Sequence, residues 1–161
     1  MPAFAASAIP AVRIRGISMD SRTVRPGWLF AAIKGESANG YDYIPQALAN
    51  GAAAVMGTLA APVGLNAPYL QVAGDIHAAV AYLAAALHDF PARKLRMIGV
   101  TGTDGKTTTT SMIYHILRSA GIRVGMISTV SAQIGERVLD TGFHVTTPES
   151  PDIQGYLAEM V

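Results

Sequence analysis

Val100-Thr101-Gly102-Thr103-Asp104-Gly105-Lys106-Thr107-Thr108-Thr109-Thr110 completes a short apolar run that begins at Leu95 (LRMIGV). An apolar strand, a glycine-rich turn and Gly-Lys-Thr heading a helical pattern form an arrangement that grips a nucleotide triphosphate. Backbone N–H groups of the turn point at the phosphates and the helix N-terminus adds partial positive charge. Lys106 adds a full charge, and the Thr107 hydroxyl can ligate Mg²⁺. The common spacing G-x-x-x-x-G-K-[ST] requires glycine where Val100 stands, so the strict pattern fails and Gly102 to Thr108 carries the reading. The plain alternative is a glycine turn capping a helix; the strand before and the helix after favour phosphate binding. Thr108, Thr109 and Thr110 are poor helix formers, which suggests hydroxyls wanted near the phosphates, with only one or two able to face them.

Downstream, Met112, Ile113, Ile116, Leu117 and Ala120 predict one apolar helical face, ended by Gly121. Arg123 to Ile127 reads as the next parallel strand, completing a βαβ unit. Ser131 to Leu139 predicts a hairpin turning at Gly135-Glu136. A last helix is expected from Ser150 as N-cap and Pro151 at N1, with Ile153, Tyr156, Leu157, Met160 and Val161 on its apolar face. Two parallel strands make an incomplete nucleotide-binding sheet, so the expectation is a piece of something longer.

Upstream, Trp28 to Ile33 (WLFAAI), Ala52 to Met56 and Tyr69 to Val72 read as buried strands. Tyr43 to Ala49 is a short helix with Gly51 as its C′ residue. Asp75 is placed to cap a second helix whose apolar face is Ile76, Val80, Leu83 and Leu87, with Pro91 as its stop. Pro91-Ala92-Arg93-Lys94 marks a boundary. The expected fold is α/β: a small domain over 1–92, then over 93–161 the first βαβ part of a phosphate-loop domain.

Composition narrows the class. Half of the 161 residues are hydrophobic, 14% are charged and the net charge is +1. A packed core is therefore expected, with no electrostatic case for a nucleic-acid or membrane partner. The absence of cysteine excludes disulfides, thiolate metal sites and a cysteine nucleophile. No apolar run is long enough to cross a bilayer, and the N-terminus lacks the basic start of a secretion signal. The expected location is cytoplasmic.

Two further segments acquire meaning together with the phosphate loop. One is Met19-Asp20-Ser21-Arg22 with Lys34-Gly35-Glu36-Ser37-Ala38-Asn39-Gly40 downstream; the other is Thr146-Thr147-Pro148-Glu149. Each alone is an ordinary polar loop. In order along one chain, MDSRTVRPGWLFAAIKGESANGYDYIPQALANGAAAV, VTGTDGKTTTT and HVTTPESPDIQ resemble the Mur ligases of peptidoglycan synthesis. The last segment is similar to that of the member adding the third peptide residue. The resemblance runs from about Arg15 to Val161.

The resemblance implies that the first domain holds the uridine nucleotide of UDP-MurNAc-L-Ala-D-Glu. Met19 and Ser21 would meet the uracil end, and Glu36, Ser37 and Ala38 would lie along the nucleotide. Thr146 and Thr147 would take the muramoyl-dipeptide part. Gly102, Thr103, Asp104, Gly105, Lys106, Thr107 and Thr108 would form the ATP loop, with Lys106 as the catalytic residue and Thr107 on Mg²⁺. The implied reaction is ATP-dependent amide ligation, adding a diamino acid (meso-diaminopimelate or L-lysine) through an acyl phosphate. Asp104 stands where the family usually carries Asn, and a carboxylate beside a triphosphate is repulsive unless a cation or a hydrogen bond absorbs it. The family's carbamylated lysine has no counterpart, since Lys106 is the last lysine. The domain that holds the diamino acid is also expected to be absent from this chain. The chain is thus expected to be an N-terminal part that binds but does not catalyse. The alternatives are a uridine-nucleotide-binding module and the D-Ala-D-Ala-adding member of the family; an unrelated phosphate-loop kinase leaves the first 90 residues unexplained.

Overall fold

A computed structural model describes residues 3–4, 11–35, 38–140 and 148–161. The chain divides into two compact units, Met1–Leu87 and His88–Val161.

In the first unit, β1 (Ala3–Phe4), β2 (Gly16–Ser18) and β3 (Trp28–Ala32) precede a 3₁₀ turn over Gly40–Tyr43 and helix α1 (Ile44–Ala49). Strands β4 (Ala54–Gly57) and β5 (Tyr69–Ala73) and helix α2 (Ile76–Leu87) follow. The sheet order is β1-β5-β4-β3-β2, with β2 to β5 parallel and β1 antiparallel at the edge. Alternation along β3 divides the core. Leu29 and Ala31 join Ile17, Met56, Val72 and the α2 residues Ile76, Ala79 and Val80. Phe30 and Ala32 join Val24, Val55 and the α1 residues Ile44 and Ala47 on the other face. A parallel strand covered on both faces reads as a continuous apolar run, as WLFAA and AVMG do.

Local chemistry sets the ends of these elements. Gly51 takes φ +94° and donates its N–H to Leu48 O at 2.9 Å, closing α1. Asp75 Oδ1 accepts from the His77 and Ala78 N–H groups at 2.8 and 3.3 Å, capping α2. That helix ends at Leu87 rather than at Pro91, because Asp89 and Phe90 both take positive φ (53° and 50°) and break it first. Strands β1 and β2 were not expected from the sequence; two residues and three residues carry too little periodicity to register.

The second unit holds a 3₁₀ turn at Pro91–Lys94, helix α3 (Lys106–Ser119), strands β6 (Met126–Ile127), β7 (Ser131–Ile134) and β8 (Arg137–Asp140), and helix α4 (Ser150–Met160). The hairpin turns where expected, with Gly135 at φ +59°. The parallel pairing is not seen. Residues 95–100 have no ladder partner among the described residues, and Met97 and Ile98 are 58% and 63% exposed. Of residues 123–127 only Met126–Ile127 is strand, and it pairs antiparallel with β7. A strand is defined by its ladder, and the hairpin edge offers β6 an immediate partner whereas 95–100 is offered none. The α3 face also differs from expectation: Tyr114 is its buried residue, while Met112 and Ile116 are exposed. Glu149, not Ser150, is the N-cap of α4, which places Pro151 one position deeper in the first turn.

Candidate functional site

Two groups of candidate residues take shape, one in each unit. In the second unit Gly102 and Gly105 take φ +154° and +75°, conformations that L side chains rarely adopt. Gly105 is the N-cap of α3 and brings no side-chain cap. The first N–H groups of α3 therefore lack intrahelical acceptors and face the end of the helix where negative charge is favoured. Thr109 N–H begins the helical ladder on Gly105 O at 2.9 Å. Lys106 Nζ folds back over the turn and donates to Gly102 O at 2.6 Å and Thr103 O at 3.0 Å. The ammonium is thus held at the mouth of the loop by carbonyls that an anion can replace.

Exposure and hydrogen bonding sort the threonines. Thr110 Oγ1 donates to Lys106 O at 2.8 Å, so that hydroxyl serves the helix. Thr103, Asp104, Thr107 and Thr108 are exposed, with Thr107 and Thr108 in the first turn of α3. The loop is open to a ligand, and Asp104 sits beside the lysine in sequence with its carboxylate in solvent. A turn of this form, with two left-handed glycines, an uncapped helix start and a lysine, fits a polyphosphate. The Thr107 hydroxyl fits as a cation ligand from this chain; among the described residues no group of three His, Cys, Asp or Glu is placed to hold a metal by itself.

In the first unit, the parallel strands all run toward one edge, and ligands of open α/β sheets bind outside the carboxyl ends of the strands. The loop after β2 carries Met19 to Thr23. Ser21 is buried, its Oγ donating to Gln46 Oε1 at 2.7 Å, while its carbonyl accepts from Asn50 Nδ2 at 2.8 Å. Met19 is half-buried and packs on the α2-side core. Asp20 receives a forked pair from Arg22, Nε to Oδ1 at 2.9 Å and Nη2 to Oδ2 at 2.7 Å, together with the Arg22 backbone N–H at 2.9 Å. These bonds hold the Asp20 carboxyl below its ordinary range, the Arg22 side chain contributing most, and raise the guanidinium in turn. Ser18 and Thr23 hydroxyls meet at 2.7 Å over the Asp20 carbonyl and complete the turn.

The loop after β3 folds back on itself. Gly35 N–H donates to Ala38 O at 2.9 Å, Lys34 and Asn39 form an antiparallel bridge, and Gly40 N–H donates to Ile33 O at 2.9 Å. A Cβ on Gly40 would lie 2.5 Å from Ile33 O, so only glycine fits. Ala38 is exposed. Glu36, Ser37, Thr146 and Thr147 lie outside the described residues. Gln46 and Asn50, which secure Ser21, were not singled out from the sequence; they lie 25 and 29 residues away, Gln46 on α1 and Asn50 at its C-cap, and only folding brings them together.

Residues 13–94 match the Mur ligase family, catalytic domain, and residues 100–161 match the Mur ligase middle domain. The chain belongs to the Mur ligase family. This Mur ligase sequence is 45% identical over 148 residues to the UDP-N-acetylmuramyl-tripeptide synthetase of Roseiflexus sp. (strain RS-1), covering 91% of this chain and 29% of that protein. Its fold is similar to that of a solved UDP-N-acetylmuramoyl-L-alanyl-D-glutamate--2,6-diaminopimelate ligase (TM-score 0.70, 27% identity, 91% of this chain and 29% of that one). It is also similar to the MurF ligase from Thermotoga maritima in complex with ADP (TM-score 0.56, 25% identity, 91% and 30%). The Mur ligase chain described here therefore spans less than a third of the length of these relatives. Among the described residues no helix is long and apolar enough to cross a membrane.

Proposed function

We propose that this chain provides the uridine-nucleotide domain and the ATP loop of a tripeptide-forming Mur ligase, an ATP-dependent amide ligase making peptidoglycan precursors in the cytoplasm. The domain boundary falls at Ala92/Arg93. The observation that carries the reading is that 45% identity to a tripeptide synthetase runs over 148 residues, through both units, and includes the open glycine loop. MurF-type neighbours support the same family at 25% identity. The higher identity and the Thr146-Thr147-Pro148-Glu149 segment favour the tripeptide reaction over D-Ala-D-Ala addition.

In this reading Met19 and Ser21 meet the uracil end of UDP-MurNAc-L-Ala-D-Glu, and Glu36, Ser37 and Ala38 lie along its nucleotide. Thr146 and Thr147 hold the muramoyl-dipeptide part. Gly102 to Thr108 hold ATP. A carboxylate is a poor electrophile, so the D-Glu side chain takes the γ-phosphoryl group and ADP leaves. The amine of a diamino acid, meso-diaminopimelate or L-lysine, then displaces phosphate from the acyl phosphate. Lys106 releases Gly102 O and Thr103 O to pair with the β/γ-phosphates, and the uncapped N–H groups of α3 take the remaining oxygens. Mg²⁺, when bound through the Thr107 hydroxyl, offsets charge on the transferred group.

The 161 residues alone bind both nucleotides without turnover, since they match 29% of the synthetase's length. Incubation with ATP, Mg²⁺, the UDP-dipeptide and either diamino acid, with ADP and UDP-tripeptide followed by chromatography, tests this. Binding of UDP and ATP without tripeptide is expected. Turnover at an ordinary enzyme rate overturns the inactive-part reading, and absence of both binding events overturns the family-based site assignment.

A further inference from the structure

At the carboxyl end of β4, two half-buried phenols converge over a glycine. A Cβ on Gly57 would lie 2.2 Å from Tyr41 Oη and 2.4 Å from Tyr69 Oη. Leu59 N–H donates to Tyr41 Oη at 2.8 Å, and Tyr69 Oη donates to Leu59 O at 2.8 Å. Each phenol has a single proton. With the Tyr69 proton on Leu59, the 3.3 Å contact between the hydroxyls is Tyr41 donating to Tyr69. The result is a closed ring of hydrogen bonds with one direction: Leu59 N–H to Tyr41, Tyr41 to Tyr69, Tyr69 to Leu59 O. Burial opposes ionisation at both phenols; at Tyr41 it is outweighed by hydrogen bonding with Tyr69, Leu59 and Thr58, which lowers its pKa, while burial and then Tyr41 raise that of Tyr69.

The ring has a position that gives it a consequence. Tyr41 directly follows Gly40, whose N–H closes the base of the loop on Ile33 O. Tyr69 opens β5, and Gln71 of the same strand donates to Thr58 O at 3.3 Å. The base of the Lys34–Tyr41 loop is thereby tied to the chain leaving β4 and to β5, across the edge where the nucleotide reading places its ligand. Core packing does not require this. Phe at either position keeps the aromatic ring and loses only the bonds.

We propose that Tyr41 and Tyr69 are positioning residues for the nucleotide loop, acting through the ring over Gly57 to hold the base of that loop in its binding conformation. The inference rests on the uridine-nucleotide reading for its ligand, but not for the coupling itself.

The test uses the full 161-residue chain as Tyr41→Phe, Tyr69→Phe and the double variant. UDP affinity is measured by calorimetry, thermal midpoints are recorded, and hydrogen exchange is followed at the Gly35 and Gly40 amides. Each single variant should weaken UDP about fivefold, the value of one hydrogen bond. The double variant should be no weaker than the singles, because either change opens the ring. Exchange at Gly40 should quicken in all three without UDP, with the thermal midpoint nearly unchanged. Unchanged Gly40 exchange, or UDP losses that simply track thermal midpoint, overturns the positioning role. If the parent chain itself does not bind UDP while Gly40 exchange still responds to the variants, the nucleotide reading fails and the coupling stands.

Discussion

Ser21 Oγ donates to Gln46 Oε1 across 2.7 Å, and the bond joins the loop after β2 to helix α1. The hydroxyl proposed to meet the uracil end is thus already engaged and buried, with its one proton on Gln46. A ligand group reaching Ser21 meets an acceptor lone pair, so a donor such as an imide N–H is the matching chemistry.

Ser21→Ala and Gln46→Ala separate contact from support. Ser21→Ala should cost about 1 kcal/mol of stability, because Gln46 is exposed and water replaces its lost partner, whereas Gln46→Ala should cost about 1–3 kcal/mol, because it leaves the buried Ser21 hydroxyl without its acceptor. UDP affinity should fall more for Ser21→Ala than for Gln46→Ala if the oxygen touches the ligand. Equal losses in calorimetric titration would mean that Ser21 only shapes the loop.

Lys106→Ala should abolish most ATP affinity and leave folding intact. The ammonium is exposed and bonded only to its own loop's carbonyls, so its removal opens no cavity. A loss of at least about tenfold, or ~1.4 kcal/mol, is expected by equilibrium dialysis with labelled ATP. Unaltered affinity would move the phosphate site elsewhere.

Asp104→Asn should tighten ATP. The exposed carboxylate repels the triphosphate, and its charge acts through solvent, so the gain should be a few-fold at low salt and shrink as salt shortens the screening length. An Asn variant that binds more weakly would instead make Asp104 a cation ligand.

Acid should loosen the β2 loop. The Asp20 pKa is lowered in the fold by Arg22, so the unfolded chain takes up that proton first as pH falls. The pair stabilises at pH above the ordinary aspartate value, and that contribution disappears as pH drops through the lower folded value. Both side chains reach solvent, so the effect is small. Arg22→Ala should flatten the acid limb of a stability–pH profile, with no change near neutrality beyond the loss of the pair.

Gly40→Ala should be among the most disruptive single-methyl changes in the first unit. Its Cβ would lie 2.5 Å from Ile33 O and 2.6 Å from Ile33 N, both backbone atoms that cannot swing away. A cost of about 1–3 kcal/mol is expected, read as a lower midpoint in urea, together with weaker UDP binding.

Much of the first unit was legible because its signals are short-range. WLFAA and AVMG are apolar without interruption, as strands covered on both faces must be, and Asp75 and Gly51 mark helix ends by chemistry that needs no partner. The second unit was less legible. LRMIGV has the composition of a strand, but pairing depends on which other segment reaches it, and the 123–127 segment instead took the adjacent hairpin edge. Met112 and Ile116 obey helical spacing and remain exposed, since periodicity says which residues share a face and not whether anything covers it.

The amino-acid order alone determined the glycine loop, its lysine and the start of α3, because left-handed turns and helix caps are decided within a few residues. It also determined the α/β class, through the alternation of apolar runs and helical faces. Tertiary structure decided what those residues do to one another. It placed Gln46 and Asn50 on Ser21, closed Tyr41 and Tyr69 over Gly57, and folded Lys106 onto its own loop. Contacts between residues tens of positions apart depend on chain closure and packing, which no local pattern encodes.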